Sequence, residues 1–339
     1  IQQSALPRFG SIYLKFQDIY LGYMQNKYKF DVWQSFGTYP TGVSISHFTH
    51  PRGIPHVVRT IGYDIQKDES IGYGYRLNTK LDHLICKWTP RASKSIASTE
   101  SVIPDLLDAG VLRDQITVVP CGVNYKRFTS DPIDRMSVRK AHGIPDNVFI
   151  YITVGRNHPK KGFPVLMKAL AELKLILPGN PFHCMFVGRG MDQLRPLAEE
   201  LGVAKSVTFL DEVGVSSEDE AYEMPSSPLI RLYRSADACV YPSLLEGHAT
   251  INIEAMAAGI PVVSTDAPGV KETIEDGFNG LIATAGDAKS LAEKMADIQM
   301  HSKKREHLIK NGLETIRSKY DWPIVVRMFE SLYMDLTAE

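Results

Sequence analysis

Short apolar runs rich in β-branched and aromatic residues alternate with helix-periodic stretches along nearly the whole chain, and this alternation leaves few folds open to it. Phe30 to Trp33, His56 to Thr60, Ser95 to Ala97 and Ile116 to Val119 read as strands in the first part. Val148 to Val154, His183 to Val187, Ser206 to Leu210, Ala238 to Tyr241 and Pro261 to Ser264 read so in the second. Between them, stretches such as Pro164 to Ile176 put Val165, Leu166, Ala169, Leu170 and Leu173 on one stripe. Strands separated by helices line up in parallel, with helices on both faces, so the expected class is α/β.

With 339 residues, 44% hydrophobic and 23% charged, the chain has globular composition and length for two domains. A boundary is expected around Asn124 to Asn147, NYKRFTSDPIDRMSVRKAHGIPDN, which is polar, broken by prolines and followed by a fresh buried strand. The expected division is a first domain over residues 1–147 and a second over 148–321. The closing YDWPIVVRMFESLYMDL reads as an amphipathic helix over 322–339, marked at its start by Trp322 and Pro323. In open parallel sheets ligands sit at the carboxyl ends of strands, and two such sheets place a site in the cleft between them.

The formal net charge of −1 argues against a general nucleic-acid binder. It conceals an asymmetry: residues 1–150 hold 18 Lys and Arg against 13 Asp and Glu, the remainder 20 against 26. The first part is therefore the better partner for anionic matter. Cys86, Cys121, Cys184 and Cys239 form no CxxC pair, which points away from zinc and disulfides and toward a reducing cytoplasm. No apolar run reaches the roughly 18 residues of a transmembrane helix, and no signal-peptide pattern is present. Since Ile rather than Met opens the chain, a segment ahead of Ile1 is expected.

Three stretches carry chemistry. Val154 to Gly162, VGRNHPKKG, follows a strand and precedes a helix, so Arg156 and Lys161 flank a helix N-terminus as an anion site suited to a diphosphate. Read alone, Lys160 and Lys161 are better taken as solvated loop charges, and Arg156 as a surface ion-pair partner, since exposed basic loops are common. Phe186 to Gly190, FVGRG, ends another strand; Gly188 and Gly190 form a tight turn that would let a base or ribose approach the backbone. The third, Leu244 to Thr265, LLEGHATINIEAMAAGIPVVST, sets Glu246 and Glu254 eight positions apart. On one helix they would be separated by about 12 Å along the axis, so a loop must become a helix between them. Glu246 then lies in the loop after a strand. Gly247, His248, Ala249 and Thr250 form a loop whose backbone N–H groups can face an anion, and Glu254 falls in the first turns of the helix. A carboxylate accepts two hydrogen bonds in a plane, which suits the vicinal hydroxyls of a sugar or ribose. Alone, Glu254 also reads as a charge favoured by the helix dipole.

At these residues the chain resembles the family 4 (group 1) retaining glycosyltransferases, whose GT-B fold consists of two Rossmann-like domains facing a cleft. The E-x7-E pattern from Glu246 to Glu254, continued as AMAAGIPVVSTDAPGVKETIEDGFNGLI, is similar to that family's signature. GRNHPKKG looks like its diphosphate site, and ITVVPCGVNYKRF, Ile116 to Phe128, like the segment that closes its first domain. The resemblance runs from about Asp31 to the last helix. It implies a UDP- or GDP-sugar donor held mostly by the second domain, with Arg156 and Lys161 on the diphosphate and Glu254 on the ribose hydroxyls. Glu246 and the Gly247 to Thr250 loop would meet the transferred sugar, with Gly155, Gly188, Gly190 and Asp211 also around the donor.

The resemblance further implies a glycan, lipid-linked or small-molecule acceptor on the first domain, to which the last helix crosses back. Transfer would retain anomeric configuration by same-face attack. As the bond to the diphosphate breaks, negative charge grows on the leaving group, and Arg156, Lys161 and the helix N-terminus oppose it. No cofactor or metal is expected: no DxD motif is present, and Glu218-Asp219-Glu220 reads as a solvated loop. The expected location is cytoplasmic. Contact with the inner membrane face is the second reading of Ser11 to Lys29, SIYLKFQDIYLGYMQNKYK, after a plain domain helix.

Several features depart from the family. HVVRTIGYDI, His56 to Ile65, has Ile61 where the family often has His, though it keeps Gly62 and Asp64. DVWQSFG stands for DVVHAHG, Val213 to Ser227 is longer than usual, and the family's first strand and glycine-rich loop should precede Ile1. His47 and His50 in HFTH read as loop histidines rather than metal ligands. His248 reads equally as a sugar contact and a loop filler. Ile61 keeps a non-catalytic nucleotide-sugar-binding subunit in play. A GT-B-fold sugar-nucleotide epimerase is disfavoured, because E-x7-E with an acceptor site suits transfer better.

Overall fold

The computed structural model describes residues 2–130, 135–214 and 224–338. Among them, ten strands form two all-parallel sheets. The first holds β1 (Trp33–Phe36), β2 (His56–Arg59), β3 (Lys94–Ala97) and β4 (Ile116–Val118) in the order β1-β2-β3-β4. The second holds β5 (Phe149–Val154), β6 (Phe182–Val187), β7 (Val207–Leu210), β8 (Ala238–Val240), β9 (Val262–Thr265) and β10 (Leu281–Ala283), in the order β10-β9-β8-β5-β6-β7. Every expected strand but one lies within one residue of its expected ends. The exception is β1, which begins at Trp33 instead of ending there. Phe30 precedes the strand as part of an aromatic stack, 5.5 Å from Tyr28 and 5.1 Å from Trp33 between ring centres.

The central strands of the second sheet are mostly apolar because both faces are covered. Along β5, Tyr151 points into a core with Phe163, Leu166 and Leu170 from the helix Phe163–Ile176. Its neighbours Ile150 and Ile152 point the other way, into a core with Tyr233, Ile253 and Val262. All three β5 side chains are fully buried. Burial of side chains this size stabilises by about 1.5–3 kcal/mol each.

Residue contacts divide the chain into Ile1–Cys121 with Pro323–Glu339, and Gly122–Trp322. The division thus falls after Cys121, well before the boundary expected at 147. Polarity misleads between Asn124 and Asn147, because the segment's few apolar residues anchor it to the second sheet. Phe128 and Ile144 are buried in the core that holds Ile150 and Ile152. The Val123 N–H donates to Tyr320 O (2.8 Å), and the Trp322 N–H donates back to Val123 O (3.1 Å). In the closing helix Trp322–Thr337, Val325 and Leu332 are buried against Val57, Ile96 and Val119 of the first unit.

The helix Gln2–Tyr28 buries Leu14 and Leu21 and leaves Phe16 and Ile19 about 70% exposed. No helix of the described residues is long and apolar enough to cross a membrane. His47 sits on the helix Val43–Thr49 and bonds Asp18 Oδ1 through Nδ1 (3.0 Å). The run Glu218-Asp219-Glu220 and most of the Val213 to Ser227 stretch lie outside the described residues.

Candidate functional site

Sheet order reverses in the second unit between β5, which leads on to β6 and β7, and β8, which leads on to β9 and β10. Connections leaving the carboxyl ends of β5 and β8 therefore run in opposite directions and open a crevice between them. A cavity of about 650 Å³ lies there, within the usual range for a small-ligand site. Its wall includes Gly155, Arg156, Lys160 and Lys161 after β5, Gly188 and Arg189 after β6, and Glu212 to Gly214 after β7. Ile251 and Glu254 close it from the helix Thr250–Ala257.

Backbone bonds extend the ladder past the strand ends and hold the glycine turns together. The Gly155 N–H donates to Val187 O, the Asn157 N–H to Arg189 O and the Gly188 N–H to Leu210 O, each at 2.9 Å. Gly188 has φ +136°, and a Cβ there would stand 2.0 Å from Gly155 O. The glycine of FVGRG is thus demanded by packing of one strand-end turn on the next, before any ligand is considered.

The basic turn is not solvated. Lys160 is only 8% exposed and donates to Glu246 Oε2 (2.9 Å), while Lys161 donates to Glu246 Oε1 (2.6 Å) and to the Tyr241 hydroxyl (2.5 Å). Tyr241 in turn donates to Glu246 Oε1 (2.5 Å), and Ser243 Oγ lies 2.8 Å from the same oxygen. The reading of these lysines as solvated loop charges is therefore corrected. They fold inward because a buried carboxylate after β8 calls for cations on both oxygens. Burial alone would raise the Glu246 pKa, but Lys161 and Lys160 overcome it and hold it down to about 2. Burial lowers the Lys161 pKa, with Glu246 opposing. Arg156 stands exposed on the cavity wall.

The loop after β8 is pinned to the basic turn. The Leu244 N–H donates to Lys160 O (2.7 Å), and Gly162, with φ +65°, lies so close beneath that a Cβ would sit 2.1 Å from Pro242 O. On its other side the Glu246 N–H donates to Pro268 O and the Ala249 N–H to Gly269 O, both at 3.0 Å. Gly247 and Ala249 are buried, and the His248 ring packs edge-on against Tyr320 at 5.8 Å. Thr250 opens the helix.

Glu254 reaches the cavity from the second turn of that helix, with Oε2 accepting from the Tyr233 hydroxyl (2.9 Å). Burial pushes its pKa up to about 7, against the Tyr233 bond and the Lys161 charge. The two glutamates thus have opposite electrostatic characters, Glu246 firmly ionised and Glu254 poised near neutrality.

Some expected residues stand apart. Asp211 is exposed and accepts from the Glu212 N–H (2.7 Å); Glu212, not Asp211, lines the cavity. Gly190, Glu246 and Gly247 to Thr250 lie outside the lining, so Glu246 meets the cavity through its lysines. Three residues escaped the sequence reading, and Lys160 was read only as a solvated charge. Tyr241 ends an expected strand and Ser243 falls between that strand and the third stretch, whereas Tyr233, on the helix Ser227–Ser235, carries no local signal.

In the first unit Ile61 is 59% exposed after β2. Its N–H donates to Asp64 Oδ1 (2.9 Å), and the Thr38 N–H donates to Oδ2 (2.5 Å). Asp64 thereby ties the loops after β1 and β2 from a fully buried position. Among the described residues no group of three or more His, Cys, Asp or Glu side chains is placed to hold a metal ion.

Comparison with known proteins gives three findings. The family described as glycosyl transferases group 1 matches residues 134–315. A curated relative, D-inositol 3-phosphate glycosyltransferase of Nocardia farcinica, is 32% identical over 237 residues, covering 66% of this chain and 48% of the relative. The chain thus spans about half the length of the curated relatives it matches. Among solved structures, a glycosyltransferase from Rickettsia africae superposes with TM-score 0.77 at 18% identity, over 97% of this chain and 83% of that one. Anabaena Alr3699/HepE, solved in complex with UDP, does so with TM-score 0.76 at 21% identity, over 94% and 82%.

Proposed function

We propose, for a chain that belongs to the group 1 glycosyl transferases and has the GT-B fold, that it moves a sugar from a nucleoside diphosphate donor to a hydroxyl-bearing acceptor. The observation that carries this reading is the composition of the crevice wall in the second unit. Arg156 and two inward-turned lysines stand on it together with the hydroxyl-seeking carboxylate Glu254. A nucleoside diphosphate sugar has parts that match these groups: two phosphates for the cations and vicinal ribose hydroxyls for the carboxylate.

In this reading Glu254 accepts from the ribose hydroxyls. Gly155 and Gly188 let the backbone approach the nucleotide, with Gly190 and Asp211 at the edge of that region. Arg156 and Lys161 hold the diphosphate. Charge develops on the phosphate oxygen as the glycosidic bond breaks, so these cations favour the transition state over the ground state. They supply the charge compensation that a divalent metal supplies elsewhere, and the proposed reaction uses none. The transferred sugar lies along Gly247, His248, Ala249 and Thr250, and Glu246 acts on it by fixing the lysines. The acceptor attacks from the face the diphosphate leaves, and configuration is retained. A cytoplasmic location, with the exposed Phe16 and Ile19 of the first helix touching a membrane surface, belongs to the same proposal; co-flotation with anionic vesicles tests it.

A second reading is favoured by Ile61, which presents no titratable group at the carboxyl end of β2. In it, the donor binds but no transfer follows. Nucleotide release from a panel of UDP-, GDP- and ADP-sugars, with and without lipid-linked, glycan and inositol phosphate acceptors, separates the two. Acceptor-dependent release supports transfer; binding without release under every acceptor supports the second reading; no binding at all overturns both.

A further inference from the structure

Glu246 faces a difficulty if the donor-site reading above is right. Lys161 donates to Glu246 Oε1 in this structure, yet that reading turns Lys161 toward a diphosphate. Glu246 is 5% exposed, and a buried carboxylate stripped of its cation takes up a proton instead of staying charged. Lys160 stands on the other oxygen, at 2.9 Å from Oε2. Its backbone carbonyl is bonded by the Leu244 N–H (2.7 Å) and the Ser243 hydroxyl (2.9 Å), so it is tied to the very loop that carries Glu246.

We propose that Lys160 is a positioning residue that keeps Glu246 charged and in place while Lys161 changes partner from Glu246 to the donor's diphosphate. The two adjacent lysines thus have separate tasks: Lys160 remains with the protein's carboxylate, and Lys161 exchanges it for the ligand. The inference rests on the donor-site reading and deepens it. The titratable and charged groups around the cluster are Arg156, His158, Lys160 and Lys161 after β5, Tyr241 at the end of β8, and Glu254 on the helix Thr250–Ala257. Of these, His158 is drawn down by burial and by Arg156 and the lysines, with Glu246 opposing.

Proton exchange on ligand binding reads this out. UDP is titrated calorimetrically into wild type, Lys160→Met, Lys160→Arg and the double variant Lys160→Met with Glu246→Gln, in two buffers of different ionisation heat near pH 7.5. The difference between variant and wild type cancels proton changes at Glu254, which all four share. Lys160→Met should take up close to one proton more per UDP than wild type. Its affinity relative to wild type should fall by up to about tenfold for each pH unit gained. Lys160→Arg should behave as wild type, and the double variant should lose the excess, which assigns the proton to Glu246 rather than His158. Should Lys160→Met fold poorly, Lys160→Gln takes its place. A wild-type proton count and a pH-independent affinity ratio in the folded neutral variant overturn the inference alone. Failure of wild type to bind UDP, GDP or ADP overturns the donor-site reading as well.

Discussion

The Tyr233 hydroxyl lies 2.9 Å from Glu254 Oε2, so the carboxylate that faces the cavity is held from behind by a fully buried phenol. Burial has raised the Glu254 pKa to about 7, and the Tyr233 bond opposes that rise. Nucleotide binding should therefore strengthen as pH climbs through about 7, where Glu254 ionises and can accept from ribose hydroxyls. Tyr233→Phe should move that midpoint upward and weaken binding about tenfold or more at pH 7, the usual worth of a hydrogen bond to a charged group. A pH series of UDP titrations decides it; an unmoved midpoint would show that the phenol merely packs.

Glu254 should also act on stability, in the opposite sense to most carboxylates. The folded chain keeps this proton up to about pH 7, whereas the unfolded chain releases it near 4.5. The native state thus loses stability as pH rises between those values. Glu254→Gln should raise the melting temperature at pH 8, do little at pH 5, and weaken nucleotide binding much more at pH 8 than at pH 5, where the wild-type side chain is already neutral. Thermal melts at the two pH values check it, and a lower melting temperature at pH 8 would count against the burial argument.

His56 should make the first unit acid-sensitive. It is buried between Ser35 Oγ and Ser46 Oγ, each 3.0 Å from a ring nitrogen. Burial pulls its pKa down to about 3 from 6.5. The unfolded chain binds the proton first, so stability falls as pH drops from 6.5 toward 3, by at most about 1.4 kcal/mol per unit. Replacing it with Gln should flatten that limb, although stability at pH 8 drops. Denaturant melts from pH 8 to 4 give the slope, which must differ between the two proteins.

Catalysis should depend on both cations that face the diphosphate. Arg156→Ala and Lys161→Ala should each lower the transfer rate by about 10² to 10³. The fold should persist, since Arg156 is exposed and Lys160 stays on Glu246. Steady-state kinetics with circular dichroism as control suffices; a change in KM with kcat intact would mean that these groups bind without assisting bond cleavage.

Gly188→Ala should be far more damaging than Gly202→Ala. Both have positive φ, but a Cβ at 188 would stand 2.0 Å from Gly155 O, while one at 202 would meet nothing within 4 Å. The first should lose more than about 2 kcal/mol and the second about 1. Equal melting temperatures would refute the packing role given to the FVGRG turn.

Strands were legible in the sequence wherever burial on both faces makes a continuous apolar run, as in Phe149 to Val154. β10, Leu281–Ala283 at the edge of the second sheet, was not. The domain division was placed too late because composition averages over a segment, whereas a few side chains, Val123, Phe128 and Ile144 with Arg139 on Asp237, attach it to the second sheet. In the site, the glycines, the basic turn and the spacing of Glu246 and Glu254 were visible, since a loop-to-helix change is written in local residue types. That both neighbouring lysines turn inward was not, because their direction is set by the buried Glu246 carboxylate, which lies far away along the chain. Tyr233 was out of reach altogether: it meets Glu254 only after two helices pack on the same face of a sheet.

The tight contact at Gly162 bears on how such a site can change. The turn with both lysines and the loop with Glu246 are separated by a gap too narrow for one methyl group, though 85 positions lie between Lys161 and Glu246 along the chain. Neither segment can slide without colliding with the other, so the spacing of the three charges is inherited as a unit. New donor preferences must then arise from the freer walls near Arg189 and Glu212, whose ion pair faces solvent, and the charged floor is the part of the site least open to variation.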